Sequence, residues 1–344
     1  MKIETKLVRV LSGEPVWPPP IWLMRQAGRY LPEYRELRAK VGSFWGMCNA
    51  PDVAVEVTLQ PIRRFGFDAA IIFSDIMTVP VALGCPVTIK EAEGPVLTPV
   101  TNAAGFVRDR AHWEEQLAPA YETLKRARAG LDRETSLIGF AGAPWTLATY
   151  LAAGRGRDEQ KAAKLWAYRD PRGFSELLDI IGECVAFHLI RQLEAGADVV
   201  QLFDSWASAL TSSGFARFVV EPTKKIVRQV RSSYPSAKII GFPRAATLAG
   251  YELYARETGV DAVSIDTSAP IRWAREILSP RVSVQGNLDP VALIAGGKAL
   301  DEGVDEILAA LKGKAFIFNL GHGILQETPI AHVERLVERV RSAG

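Results

Sequence analysis

Eight short apolar or β-branched runs recur along the chain, with helix-like stretches between them, and few folds accommodate that alternation. The runs are 20–24 (PIWLM), 69–73 (AAIIF), 136–141 (SLIGFA), 197–203 (ADVVQLF), 238–242 (KIIGF), 260–265 (VDAVSI), 281–285 (RVSVQ) and 315–320 (AFIFNL). Strands covered on both faces read as near-continuous apolar runs of this kind. Helical periodicity occupies 51–65, 111–129, 172–195, 214–232, 247–258, 289–311 and 329–342. Repeated strand–helix units imply a parallel sheet clothed in helices. Eight of them in 344 residues fit an α/β chain of the (β/α)8 TIM-barrel type with loop insertions, a single domain over 1–344. An open doubly wound sheet is the runner-up, but no glycine-rich dinucleotide fingerprint follows any of the runs.

Two insertions interrupt the repeat. Residues 80–99 alternate apolar and polar around Gly94-Pro95 and read as a hairpin after the second strand. Residues 142–172 form a long connection after the third, with an aromatic helix (APWTLATYL) and a glycine–arginine loop (GRGRD). Long insertions at such loops build sites or interfaces. A net charge of +2 and the lack of a basic block argue against nucleic acid, so any anion binding must be local. No apolar run approaches a membrane span, and the N-terminus shows no secretory pattern. Three scattered cysteines without CxxC spacing suggest reduced thiols in the cytoplasm.

In a barrel of this type the active site lies at the C-terminal ends of the strands. The first run ends in two arginines, Arg25 and Arg29, before Pro32 opens a helix. A guanidinium fork suits carboxylates and phosphates. The later runs lead to Ser74 and Asp75, to Gly142, Trp145 and Tyr150, to Asp204 and Ser205, to Arg244, to Asp266, to Gln285 and Asn287, and to His322 between two glycines. Asp75 sits among apolar residues and must be partnered, by a cap, an arginine or a ligand. Asp204 reads equally as a helix cap or a ligand, and Tyr150 as core or function. Asp266 reads as the start of a loop. The glycines beside His322 allow close backbone approach, which favours function there; His112, His188 and His332 fall on helical segments and read as structural.

Several segments, in order over most of the chain, resemble one family: MRQAGRYLPEYRELR (24–38), FSDIMTVPVALG (73–84), GFAGAPWTLATYL (139–151), QLFDS (201–205), QGNLDP (285–290) and NLGHGI (319–324) are similar to uroporphyrinogen decarboxylase. The resemblance implies a (β/α)8 barrel, a homodimer, no cofactor and no metal. It implies removal of carboxyl groups from the four acetate arms of uroporphyrinogen, leaving methyl groups. It makes Arg25 and Arg29 carboxylate-binding, with Gln26 between them, and Asp75 the acceptor for the pyrrole N–H groups. Phe73, Ile76 and Met77 pack on the macrocycle, while Tyr150, Ser205 and His322 line the cleft. Asp75, Arg25, Tyr150 and His322 are the expected catalytic groups, with the proton donor left open. Arg244 matches only loosely, and no role follows for it or for Asp266.

Three other functions compete. A thiol-activating zinc methyltransferase needs a His-x-Cys pattern, and no histidine stands two residues before a cysteine. A phosphate-binding lyase leaves Asp75 and the arginine pair unexplained. A non-catalytic tetrapyrrole carrier differs from the enzyme only in an assay.

Overall fold

The computed structural model describes residues 4–90, 94–156 and 160–344. Among these, strands form at β1 (Ala69–Ile71), β2 (Val87–Lys90), β3 (Gly94–Leu97), β4 (Ser136–Gly142), β5 (Val199–Asp204), β6 (Lys238–Pro243), β7 (Ala262–Ser264), β8 (Ser283–Leu288) and β9 (Phe316–Leu320). Seven pair in parallel in the order β1-β4-β5-β6-β7-β8-β9, with helices between them. This is the expected TIM-type architecture, with one difference at its seam.

The run at 20–24 makes no ladder; Ile21 forms a single parallel bridge to Phe318. It still lies between β9 and β1. Phe318 N–H donates to Pro20 O (2.9 Å) and Asp68 N–H to Ile21 O (2.9 Å). Side chains replace most of the missing ladder. The Asp68 carboxylate accepts from Ile21 N–H (2.9 Å), Gln26 Oε1 from Leu23 N–H (3.1 Å) and Asn319 Oδ1 from Met24 N–H (3.0 Å). Buried backbone groups must be paired by something, and here amides and a carboxylate do it, so the apolar run closes the ring without being a regular strand.

Alternation along the strands divides the core. Ala69, Ile138, Val199, Ile240, Ala262 and Ile317 share one cluster with Leu7, Val10 and Leu11. Their neighbours Ala70, Leu137, Val200, Ile239, Val263 and Phe318 belong to the larger cluster that includes the surrounding helices. The helix Lys6–Leu11 thus packs against the barrel interior. Inside, Gln285 is fully buried and joins three elements: it accepts from Trp22 Nε1 (3.0 Å) and donates to Gln201 Oε1 (3.2 Å) and Ser264 Oγ (3.1 Å).

The helices expected from periodicity form, with two exceptions, and short helices at Lys6–Leu11, Phe44–Asn49, Thr78–Ala82, Lys161–Arg169 and Ile271–Trp273 add to them, the third taking up the start of the stretch read as a hairpin. The span 289–311 is two helices, Pro290–Ala295 and Gly297–Leu311. Gly296 breaks it at φ 66°, and a Cβ there would collide with the His332 imidazole. The span 214–232 contains a π-helical turn, Ala216–Val220, just before Pro222, whose ring nitrogen cannot donate to the helix. The insertion at 80–99 holds the antiparallel hairpin β2–β3, whose tip at 91–93 lies outside the described residues. Pro95 is not in the turn but in β3, opposite Ile89, which an edge strand tolerates. Leu97 N–H and Val100 N–H donate to Gly154 O (2.8 Å) and Leu151 O (2.9 Å), so the hairpin docks on the end of helix Pro144–Ala153. The GRGRD loop is described only as far as Gly156. Among the described residues no helix is long and apolar enough to cross a membrane.

Candidate active site

The loop after 20–24 is set by its flanks. Met24 is pinned through Asn319 Oδ1 (3.0 Å), and its carbonyl accepts Ile324 N–H (2.8 Å). Between these anchors Arg25 adopts φ 61°, a left-handed conformation that a bulky side chain takes only when its surroundings impose it. A Cβ on Gly323 would collide with Cδ of Arg25, so the aliphatic stem of Arg25 lies over the glycine after His322. Gly321 makes the matching concession to the backbone of Thr267. The two most distinctive motifs therefore interlock, and the glycines around His322 serve close approach, as the sequence suggested.

Arg25 and Arg29 are both exposed. Arg29 Nη1 reaches Gln326 Oε1 at 3.5 Å, and Arg25 has no ion-pair partner among the described residues. Gln26 is placed differently from its neighbours. It is fully buried, and its amide accepts from Leu23 N–H and donates to Ala69 O (3.0 Å). Its side chain ties the arginine loop to β1 and does not face the opening.

Asp75 follows β1 in the turn before helix Thr78–Ala82. Its Oδ1 accepts Met77 N–H (2.8 Å), and Arg25 acts on it by charge alone. Asp75 is partly open to solvent, yet protein crowds round the carboxyl, and this desolvation pushes its pKa from 3.8 up to about 6, against the pull of Met77 N–H and Arg25. Phe73 stacks edge-on against Tyr34 (5.8 Å) and Phe44 (5.5 Å), making an aromatic wall beside it. Ile76 packs on Gly142 and Met77 is fully buried. Of the apolar trio, Met77 thus supports the site from beneath.

Tyr150 is half-buried near the end of helix Pro144–Ala153, 6.4 Å ring to ring from Trp206. Burial and the Asp75 charge raise its pKa, so it is a neutral phenol. Ser205 lies in the turn after β5, and that turn is held from below. Thr146 Oγ1 donates to Asp204 Oδ1 (2.5 Å) and accepts Trp206 N–H (3.3 Å), while Trp145 Nε1 donates to Trp206 O (3.0 Å). Asp204 is neither a helix cap nor at the opening. It is buried, its Oδ2 has no protein partner among the described residues, and desolvation raises its pKa to about 7.

His322 shares a cavity of about 270 Å3 with Arg244, Asp266, Thr267 and Ser268. Burial, then Arg244 and Arg25, lower its pKa from 6.5 to about 4, against the opposing charge of Asp266. It is a neutral imidazole at pH 7. Asp266 is the loop residue the sequence suggested: its carboxylate accepts from Ala245 N–H (2.7 Å), Ser268 N–H (2.7 Å) and the Tyr251 hydroxyl. Asn287 likewise holds that loop, donating to Asp266 O and Ala269 O at 2.9 Å. Thr146, Thr267 and Ser268 went unread. Only Thr267 carried a signal, as the residue after Asp266 at a strand's end. His188 bonds Tyr121 (3.1 Å) and His332 bonds Leu293 O (3.0 Å), both on helices, and neither lines the cavity.

Fold and site together define a TIM-type barrel whose mouth gathers arginines around one desolvated carboxyl. The family model described as uroporphyrinogen decarboxylase matches residues 3–343, and the chain belongs to that family. It is 54% identical to the uroporphyrinogen decarboxylase of Mesorhizobium japonicum over 338 residues, 98% of each chain. With that of a Chelativorans species it shares 53% over 340 residues, again 98% of each. A solved methyltransferase from Methanosarcina mazei has the same fold, with a TM-score of 0.81 at 21% identity, covering 98% of this chain and 99% of that one.

Proposed function

We propose that the chain is a carboxy-lyase that converts the four acetate arms of uroporphyrinogen III to methyl groups, giving coproporphyrinogen III for tetrapyrrole synthesis. The observation that carries this reading is Asp75, a desolvated carboxyl among apolar and aromatic side chains, within reach of the charge of Arg25, which has no carboxylate partner among the described residues.

The chemistry needs no external electron sink. A proton adds to the pyrrole α-carbon, next to the ring carbon that bears the acetate, making a cationic, imine-like ring. The C–C bond to the carboxylate breaks, CO2 leaves, and its electron pair returns to the ring. A second proton on the exocyclic methylene gives the methyl group, and the first proton leaves the ring carbon to restore the pyrrole, for a net exchange of CO2 for one proton. Asp75, ionised above about pH 6, faces the developing ring charge and accepts pyrrole N–H bonds, and fixed charge in a site shielded from water is worth far more than in solvent. Arg25 and Arg29 hold carboxylates. Protons come from groups that carry one at neutral pH, the Tyr150 phenol, the Arg25 guanidinium or a water, while His322 offers a neutral N–H. Gln26, Met77 and Asp204 act one layer back. The free state of all three cysteines supports a cytoplasmic setting, and a homodimer is expected from the family, which solution mass would test.

The likeness to a methyltransferase is one of fold alone. Among the described residues no three His, Cys, Asp or Glu side chains cluster in a way that could hold a metal. The deciding assay supplies freshly reduced uroporphyrinogen III without oxygen, with and without EDTA, and separates products by carboxyl number. Stepwise loss to a four-carboxyl product, indifferent to EDTA, is expected. A folded protein that binds the macrocycle and leaves it intact would be a carrier instead.

A further inference from the structure

The mouth holds a third arginine, Arg244, whose guanidinium has no partner among the described residues. Arg244 follows β6, while the 20–24 segment closes the ring between β9 and β1. Counting round the sheet places β6 four positions from 20–24, so the Arg244 backbone starts from the opposite side of the barrel, and its side chain reaches the His322 cavity that Arg25 also approaches.

Its backbone is fixed. Arg244 N–H donates to Asp204 O (3.1 Å) and Phe242 O (3.0 Å). The next residue, Ala245, takes a left-handed φ of 55°, held by its N–H bond to Asp266 Oδ2 (2.7 Å). The turn is a rigid base for a long cationic side chain. That side chain is half-buried on the wall of the 270 Å3 cavity. The one carboxylate lining the same cavity, Asp266, is already committed to Ala245, Ser268 and Tyr251. Arg244 makes no ion pair or side-chain hydrogen bond among the described residues. A half-buried guanidinium beside Ser268, Thr267 and a neutral imidazole suits an anionic ligand.

We infer that Arg244 binds a further carboxylate of the tetrapyrrole, beyond those held by Arg25 and Arg29. The inference rests on the substrate class proposed above, whose eight carboxylates outnumber what two arginines can meet. Acetate and propionate arms present the same carboxylate, and the assay can tell them apart.

The test uses R244Q and R244K with wild type. R244Q should raise KM for uroporphyrinogen roughly ten- to a hundred-fold, the usual loss for one charged hydrogen-bonding contact, with a smaller change in kcat. R244K, which keeps the charge but not the fork, should fall between. Fluorescence quenching then gives affinities for the eight-carboxyl and four-carboxyl porphyrins. Equal losses for both assign a propionate, and a loss confined to the eight-carboxyl form assigns an acetate. In the ligand-free enzyme, the His322 ring followed by NMR should titrate higher in R244Q, which checks the placement without substrate. An unchanged KM in folded R244Q beside an active wild type overturns the inference. If wild type itself fails to decarboxylate, the proposed function fails on its own, and equal porphyrin affinity of wild type and R244Q would then overturn the role of Arg244. Should R244Q melt early, a wild-type KM in R244K overturns it instead.

Discussion

Asp75 and Asp266 stand just past parallel strands on the same rim, and their surroundings pull them in opposite directions. Asp266 receives two backbone N–H groups and the Tyr251 hydroxyl. Burial alone would raise its pKa, but the bonds from Ser268, Tyr251 and Ala245 outweigh it and hold the carboxyl below its ordinary range. Asp75 receives one N–H, from Met77, and desolvation wins. A carboxylate whose lone pairs are filled by its own chain holds a loop. One left with open lone pairs in a dry, aromatic setting is poorly solvated until something with N–H groups arrives. The contrast separates scaffold from site on local physics, without reference to any relative.

The largest expected effect tests the open member. Asp75→Asn keeps the shape and removes the charge, so turnover should fall by roughly a hundred- to a thousand-fold, the scale for losing one preorganised electrostatic group. Circular dichroism should show a folded protein. Normal turnover by that variant would remove the central-acceptor role. Asp266→Ala should break the other side of the comparison. It strands Ala245 N–H, Ser268 N–H and the Tyr251 hydroxyl, and the loss should be about 2–4 kcal/mol in urea unfolding. Loss of activity at unchanged stability would instead make Asp266 a ligand.

A smaller effect carries the opposite sign. Between pH 3.8 and about 6 folded Asp75 keeps a proton that the unfolded chain has released. Stability therefore falls as pH rises through that window, and the full cost, at most roughly 3 kcal/mol, persists above it. Asp75→Asn escapes that cost. Its melting temperature should equal wild type at pH 4 and exceed it at pH 8, while Asp266→Ala is weaker at both. A variant that is more stable and nearly inactive is what a site holding an unfavourable charge for function should give.

Much of this was legible in the chain. The β-branched runs gave the strands because parallel strands buried on both faces have little choice of composition. Pro32 marked a helix start, since its missing N–H is no loss there. The seam was not legible, because the apolar character of PIWLM says that it is buried and not whether backbone or side chains satisfy its N–H groups. Gln26 illustrates the same limit, since a polar residue in a ligand-binding motif can face inward and hold the motif together. Asp204 read equally as a cap or a ligand because its partner, Thr146, is remote in sequence and adjacent only in the fold. Arg244 could not be read from its neighbours at all. Its significance lies in Asp266 being already occupied, which only the assembled turn reveals.

The smallest effect decides which group titrates. In water a histidine ionises near 6.5 and an aspartate near 4, so a pH break near 6 would ordinarily be given to His322. The mouth reverses that order, with Asp75 raised to about 6 and His322 lowered to about 4. Between those values both groups are uncharged. The acid limb of kcat/KM, which reports free enzyme, should therefore fall near pH 6 and belong to Asp75. His322→Gln preserves a neutral hydrogen-bonding side chain, so it should cost only a few-fold in kcat/KM and leave the limb in place. The residual activity of Asp75→Asn should show no such limb. If His322→Gln flattened the profile and Asp75→Asn kept it, the imidazole would be the ionising group, and the contrast between open and filled carboxylates would no longer explain how this mouth works.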